Sequence, residues 1–341
     1  MKDKHSSYLS QDEETDMPVH RILICRTGGI GDVIHTLPLV KYLRKKYKNA
    51  SIEYLTSESI AALLSEHCPF INKVWSFNKK QKKEIACEIV NSGRKIDYFF
   101  NLHSSLSFFF FNLFNIRAKK YFGYKKDNSF HAVVNFARTF DKSLSAMNLD
   151  SNTLYVKDSS EILLKHNLKE NKYICLVPGV GSERPHRAWL FENWLSLTKK
   201  YLTCEKDFKV VFLGGKDEEK IISNKLPGFK GRALNLTGKL DLCEVAEIIS
   251  SSYSLISCDT GLLHIASALS TKVIGLFGPT LPLRSGPFTG NYQIINAKNC
   301  KCQDDLKKCR ISISGKHPGY CMNNLSVDEV LSLLTNDLVS I

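Results

Sequence analysis

The sequence predicts an α/β protein built from two doubly wound units, each a parallel sheet covered by helices on both faces. Three observations lead there. Short apolar runs alternate with stretches whose apolar residues recur at helical spacing. The alternation begins at Arg21, weakens from about residue 124 to 172, and starts afresh at Tyr173. The length of 341 residues suits two domains of ordinary size, each able to bury its own core. Strands that alternate with helices must run parallel, because each crossover helix returns the chain to the same edge of the sheet.

The elements follow in order. Arg21–Cys25 reads as a strand, then a Gly-rich loop, then a helix over residues 33–47 with a basic end. Strands are expected at 51–55, 73–77 and 97–102, with helices at 60–65 and 79–91 between them. Residues 98–116 form the most apolar stretch. They carry His103, three Ser and three Asn, so they read as a buried strand followed by a helix rather than a bilayer span. Residues 150–158 read as a strand and linker. The second unit has strands at 173–177, 209–213, 253–258 and 273–277, and helices at 190–201, 218–225, 242–251 and 262–269. Residues 326–335 read as a closing amphipathic helix, with Ser326 and Glu329 as a capping box. The expected division is a flexible tail at 1–17, an N-terminal domain at 18–165 and a C-terminal domain at 166–341. Ligands in such sheets bind at the carboxyl ends of the strands, so the loops after Cys25, Val177, Leu213, Cys258 and Phe277 are the informative ones.

Composition narrows the classes. Hydrophobic residues make up 43% and charged residues 24%, as in a soluble globular protein. The formal net charge of +13, from 47 Lys+Arg against 34 Asp+Glu, favours an anionic partner such as nucleic acid, an anionic membrane surface or a phosphorylated small molecule. No recognised nucleic-acid-binding motif accompanies the charge, so no nucleic-acid partner is expected. The first twenty residues lack an apolar core and do not read as a secretory signal, which points to the cytoplasm. Seven of the eleven Cys are spread singly through apolar segments, as small buried hydrophobes in a reducing compartment would be.

Four loops could carry chemistry. In Thr27-Gly28-Gly29-Ile30-Gly31-Asp32, glycine permits a sharp turn and close approach of a ligand, as at Gly28 and Gly31. The spacing is not the dinucleotide G-x-G-x-x-G, and Asp32 occupies the place where a phosphate would sit. A carboxylate there is suited to act as a general base, or simply to cap the helix. His35, one turn along, could share its face or be a helix histidine with local partners. In Ser257-Cys258-Asp259-Thr260-Gly261-Leu262-Leu263-His264, a strand gives way to a helix whose first N–H groups, at Thr260, Gly261 and Leu262, could hold a diphosphate. His264 could donate to it and Asp259 could hold the turn. The bland alternative is an Asp/Thr cap with an interior His. In residues 178–189, Arg184, His186 and Arg187 follow a strand. Arginine's planar fork suits a diphosphate leaving group, a task otherwise given to a metal ion. Thr280, in Phe277-Gly278-Pro279-Thr280, could line the same cleft.

These residues resemble one family. The opening, Ile22-Leu23-Ile24 through Gly31-Asp32-Val33-Ile34-His35-Thr36-Leu37-Pro38, is similar to that of bacterial ADP-heptose:lipopolysaccharide heptosyltransferases, glycosyltransferase family 9. Asp259 to Ala266 and Phe277-Gly278-Pro279-Thr280 resemble its donor signature, and the resemblance spans residues 20–335. It implies a GT-B fold, two Rossmann-like domains facing a central cleft, with inverting transfer, no cofactor and no required metal. It makes Asp32 the base, places Gly28, Gly31 and His35 in an acceptor-side loop and assigns the donor to Ser182, Arg187, Glu218, Leu240, Asp259, Thr260, Gly261, Leu262 and His264. Arg187 stands where the family often has Lys, and Glu219 beside Glu218 leaves that alignment soft. The partners it implies are a nucleotide-sugar donor, an acidic glycolipid acceptor and the anionic inner-membrane surface at its cytoplasmic face.

Cys300, Cys302, Cys309 and Cys321 lack paired C-x-x-C knuckles, so a zinc site, a redox linkage and plain thiols all stay open. Two other functions compete with the transferase: a non-catalytic binder of sugar nucleotide or glycolipid on the same fold, and a nicotinamide-dependent oxidoreductase. The missing G-x-G-x-x-G counts against the second.

Overall fold

A computed structural model describes residues 18–104, 106–181, 184–298, 300 and 321–335. The expected tail at 1–17, Ser182, Cys302 and Cys309 lie outside the described residues.

The first lobe runs β1 (Arg21–Cys25), α1 (Ile30–Ile34), α2 (Leu37–Lys46), β2 (Ser51–Ser57), α3 (Glu58–His67), β3 (Lys73–Phe77), α4 (Lys82–Asn91), β4 (Tyr98–Asn101), α5 (Ser107–Phe111), β5 (Lys120–Gly123) and α6 (Ala132–Ala137). Its five strands are all parallel in the order β3-β2-β1-β4-β5. After α7 (Ser160–Lys165) the second lobe runs β6 (Tyr173–Val177), α8 (Phe191–Cys204), β7 (Lys209–Phe212), α9 (Lys216–Ser223), β8 (Ala233–Asn235), α10 (Leu242–Ser250), β9 (Ser254–Cys258), α11 (Gly261–Ala268), β10 (Val273–Phe277), α12 (Pro282–Ser285), β11 (Tyr292–Asn296) and α13 (Val327–Thr335). Its six strands, also parallel, lie in the order β11-β10-β9-β6-β7-β8. The winding reverses between β1 and β4 in the first sheet and between β6 and β9 in the second, and such switch points open a crevice at the strand ends.

The central strands β1, β6, β9 and β10 are buried along their whole length, which is why they read as unbroken apolar runs. One apolar cluster joins the lobes, from Ile22, Leu37 and Leu63 on one side to Ala246, Leu263 and Phe277 on the other.

Two expectations need correction. The helix expected over residues 33–47 is two helices. The chain breaks at His35 and Thr36, and α2 restarts with Pro38 in its first turn, where a missing N–H costs nothing. Residues 150–158 are not a strand. The N–H groups of Thr153 and Leu154 donate to Ala268 O, and that of Tyr155 to His67 O, so this segment ties the two lobes instead of extending a sheet. The edge strands β5, β8 and β11 are additional to the expected set.

Candidate active site

The loops after β1, β6 and β9 meet at the two switch points. Helix α1 packs against α11 so closely that each contact needs a glycine. A methyl group on Gly31 would come within 2.6 Å of the His264 ring, and one on Gly261 within 2.8 Å of Ile30. The Gly-Asp turn of the first lobe therefore touches the first turn of α11.

On the first-lobe side, Asp32 is 52% exposed at its side chain and pairs with Arg26, Nη2 to Oδ2 at 2.7 Å. It makes no side-chain cap to α1. Arg26 is itself fixed. Its Nη1 donates to Leu102 O at 2.7 Å, and its guanidinium lies over the Phe136 ring at 5.5 Å. The Thr27 N–H donates to His103 Nε2 at 2.9 Å. Burial, then the Arg26 charge, brings the His103 imidazole down to about 4, which keeps it a neutral acceptor.

His35 is buried where Asp32 is exposed. It caps the end of α1 from a buried position, its ring 4.2 Å from that of His264 and 5.6 Å from that of His131. Burial, with His264, His131 and Arg26 adding to it, holds its imidazole well below the usual histidine range. A backbone hydrogen bond to Gly286 counters part of this, while its Nε2 is buried without a hydrogen bond. Burial also brings His131 down to about 4, although the Gly286 carbonyl facing its ring counteracts part of this.

On the second-lobe side, Arg187 Nη1 lies 2.8 Å from Asp259 Oδ2, with both side chains nearly buried, at 12% and 7% exposure. His264 Nε2 stands 3.6 Å from the other Asp259 oxygen. Burial alone would raise this carboxyl. His264, Arg187 and the buried Thr280 outweigh it and hold the group below 3.8. Thr260 is the residue before α11, but its hydroxyl turns back to Ser257 Oγ at 2.9 Å. Thr260 makes no side-chain cap to α11, and among the described residues no side-chain hydrogen bond to the first N–H groups of that helix, at Gly261 and Leu262, is seen. An uncapped N-terminus with its partial positive charge can accept an anion.

Glu218 sits in the first turn of α9, and its carboxylate lies over Gly179, beyond β6, and Gly214-Gly215, beyond β7. Burial raises its pKa, while its own N–H and that of Gly215 counter part of the rise. The neighbouring Glu219 instead approaches Lys239, at 4.0 Å. Leu240 is half-buried, packed against the apolar cluster that joins the lobes. Arg184 is exposed and His186 buried.

For metals, Cys300 is half-buried and Cys321 buried, next to Met322 beneath Gly278. Among the described residues, Glu66, His67 and Cys243 have ligand atoms within 4.8 Å of one another, where α3 meets α10. They belong to none of the loops above.

Sequence reasoning missed Arg26, His103 and His131. Arg26 precedes the loop that was read, but its partners Leu102 and Phe136 come from distant segments, so no local spacing reveals the contact.

Two parallel-sheet lobes, with a carboxylate loop from one against an anion-ready helix from the other, define a GT-B glycosyltransferase. The structure matches Escherichia coli ADP-heptose lps heptosyltransferase II with a TM-score of 0.77 at 18% identity, covering 94% of this chain and 99% of that one. The family model of Glycosyltransferase family 9 (heptosyltransferase) matches residues 116–312, more than half of the chain, and the chain belongs to that family. Lipopolysaccharide heptosyltransferase 1 of Pseudomonas aeruginosa is 23% identical over 316 residues, 84% of this chain and 86% of that protein. Lipooligosaccharide heptosyltransferase 2 of Haemophilus influenzae is 29% identical over 132 residues. That match takes in 38% of this chain and 37% of the relative, so it spans little more than a third of the relative's length. The oxidoreductase reading is set aside by this membership.

Proposed function

We propose that this chain is an inverting heptosyltransferase that moves a heptose from ADP-heptose to the core of a lipopolysaccharide or a related acidic glycolipid. The observation that carries the reading is the contact between Gly31 and His264, which joins the Asp32 loop to the donor-side turn. The names of the relatives supply the sugar, the nucleotide and the acceptor class.

In the proposed step, Asp32 takes the proton of an acceptor hydroxyl, and the hydroxyl oxygen attacks the anomeric carbon from the face opposite the diphosphate. The carbon–oxygen bond to the diphosphate breaks, and the nucleoside diphosphate leaves with the electron pair. The exposure of Asp32 supports this, since a base must be reached by its substrate. The uncapped α11 N-terminus and Arg187 stabilise the leaving diphosphate. Asp259 holds Arg187 in place, and Gly261 lets the two loops approach. Glu218 receives ribose hydroxyls and Leu240 flanks the base. The acceptor is offered at an anionic membrane surface that the excess positive charge suits.

A thermal-shift screen of nucleotide sugars tests the donor, since a ligand bound to the native state raises Tm by mass action. ADP-heptose should stabilise most, and transfer should be seen with a heptose-accepting core glycolipid. A chain that binds ADP-heptose but transfers nothing would instead be the non-catalytic binder of the same fold.

A further inference from the structure

The largest exposed apolar feature lies outside the cleft. Among the described residues, twelve large hydrophobic side chains are exposed, and five of them fall in one nine-residue stretch: Leu106, Phe109, Phe110, Leu113 and Phe114, at 70%, 37%, 46%, 49% and 65%. Scattered apolar residues are ordinary on a surface, whereas a contiguous patch marks a contact site. The spacing i, i+3, i+4, i+7, i+8 puts all five on one face of α5 and of the π-helical turn that continues it, Asn112–Ile116. The opposite face anchors the helix: Phe108, Phe111 and Ile116 are buried in a cluster with Trp75 and Phe99. The ridge is thus held outward by its own inner rings, and Phe110 stacks on Phe114 along it.

Charge accompanies it. Arg94, Lys95 and Arg117 are exposed and share a hollow with Val90, Phe114 and Asn115, and no carboxylate lines that hollow. Aromatic side chains on one face with cations beside them are the pattern of a segment lying in a membrane interface, with rings at the acyl boundary and cations at the lipid phosphates. No helix among the described residues is long and apolar enough to cross a membrane.

The ridge is also tied to the cleft. It follows β4 at the carboxyl edge of the first sheet. The intervening Leu102 and His103 hold Arg26 and Thr27 of the Asp32 loop.

We propose that this ridge docks the protein on an anionic bilayer, with Phe109, Phe110, Leu113 and Phe114 entering the interface and Arg94, Lys95 and Arg117 meeting the headgroup phosphates. The docked first lobe then faces a lipid-borne acceptor. That last consequence rests on the proposed function, whereas the docking does not.

The test is co-sedimentation of the full chain with phosphatidylcholine vesicles, with and without phosphatidylglycerol. Wild type should bind the anionic vesicles, and added salt should weaken the binding. The exposed pair F110S/F114S and the charge variant R94Q/K95Q/R117Q should each lose about tenfold in vesicle affinity. Both should keep the wild-type Tm and the wild-type rate on a water-soluble acceptor fragment. Binding that is unchanged in F110S/F114S overturns the proposal. So does a wild-type dimer that F110S/F114S dissociates without any vesicle binding, which would make the ridge an interface between copies. Vesicle binding as described with no heptose transfer would sink the functional reading and leave the docking intact.

Discussion

Asp32 and Asp259 are both carboxylates beside an arginine at almost the same distance, 2.7 Å to Arg26 and 2.8 Å to Arg187, yet their surroundings are opposite. The Asp32 side chain is 52% exposed at the mouth of the cleft; that of Asp259 is 7% exposed beneath it. An exposed ion pair contributes little to stability and can open to a substrate. A buried pair is costly to break, because the remaining charge is stranded away from water. The same pairing therefore serves two ends. Asp32 stays open to the acceptor that the proposed reaction requires, and Asp259 fixes the position of Arg187.

The comparison breaks most easily at Asp32. Replacing it by Asn should lower turnover about 10³-fold, within the range for a lost general base, and leave Tm within a degree or so of wild type. Assays of initial rate and thermal unfolding on the same preparation check both halves. For Asp259→Ala the weight shifts to stability. A loss of about 3 kcal/mol in chemical denaturation is expected from a broken buried pair. A loss below ~1 kcal/mol would place Asp259 among the exposed pairs and dissolve the contrast.

A smaller effect comes from the histidines between the lobes. His131 sits at about 4 in the folded protein against an ordinary 6.5. A lowered folded pKa means that the unfolded chain takes up the proton first, so this stability is complete above 6.5 and is lost as pH falls toward 4. Between pH 7.5 and 5, His131 should account for about 2 kcal/mol of lost stability, and His131→Gln should flatten that part of the curve. An equal slope in the variant would refute the assignment. Smallest is Arg26→Gln, which frees Asp32 from its partner. A roughly tenfold fall in kcat with an unchanged donor KM is expected of a positioning residue, whereas a rise in KM alone would mean that Arg26 binds donor.

Much of this was legible in the chain. The buried central strands β1, β6, β9 and β10 are continuous apolar runs, and the glycines at 31 and 261 stood in loops already marked by their order after a strand. The short strands β5 (KYFG) and β8 (ALN) lie in one- to four-residue apolar stretches at or near sheet edges, where partial solvation removes the hydrophobic signature. Residues 150–158 have strand-like composition, but their N–H groups are taken by Ala268 and His67 across the lobes, a tertiary contact with no local pattern. From its loop Asp32 could be read as a base or a helix cap, and the family resemblance favoured the base. Its partner Arg26 is held by Leu102, 76 residues away, and the buried His35–His131–His264 group joins segments more than ninety residues apart, so neither arrangement could be read locally.

The contrast between the two carboxylates is tested most directly by the dissociation constant of ADP, measured by calorimetry for Asp32→Asn and Asp259→Asn side by side. The account predicts that Asp32→Asn binds ADP within about twofold of wild type, while Asp259→Asn, with Arg187 no longer held, binds it at least tenfold more weakly, about 1.4 kcal/mol. Weakened binding in Asp32→Asn together with wild-type binding in Asp259→Asn would contradict it.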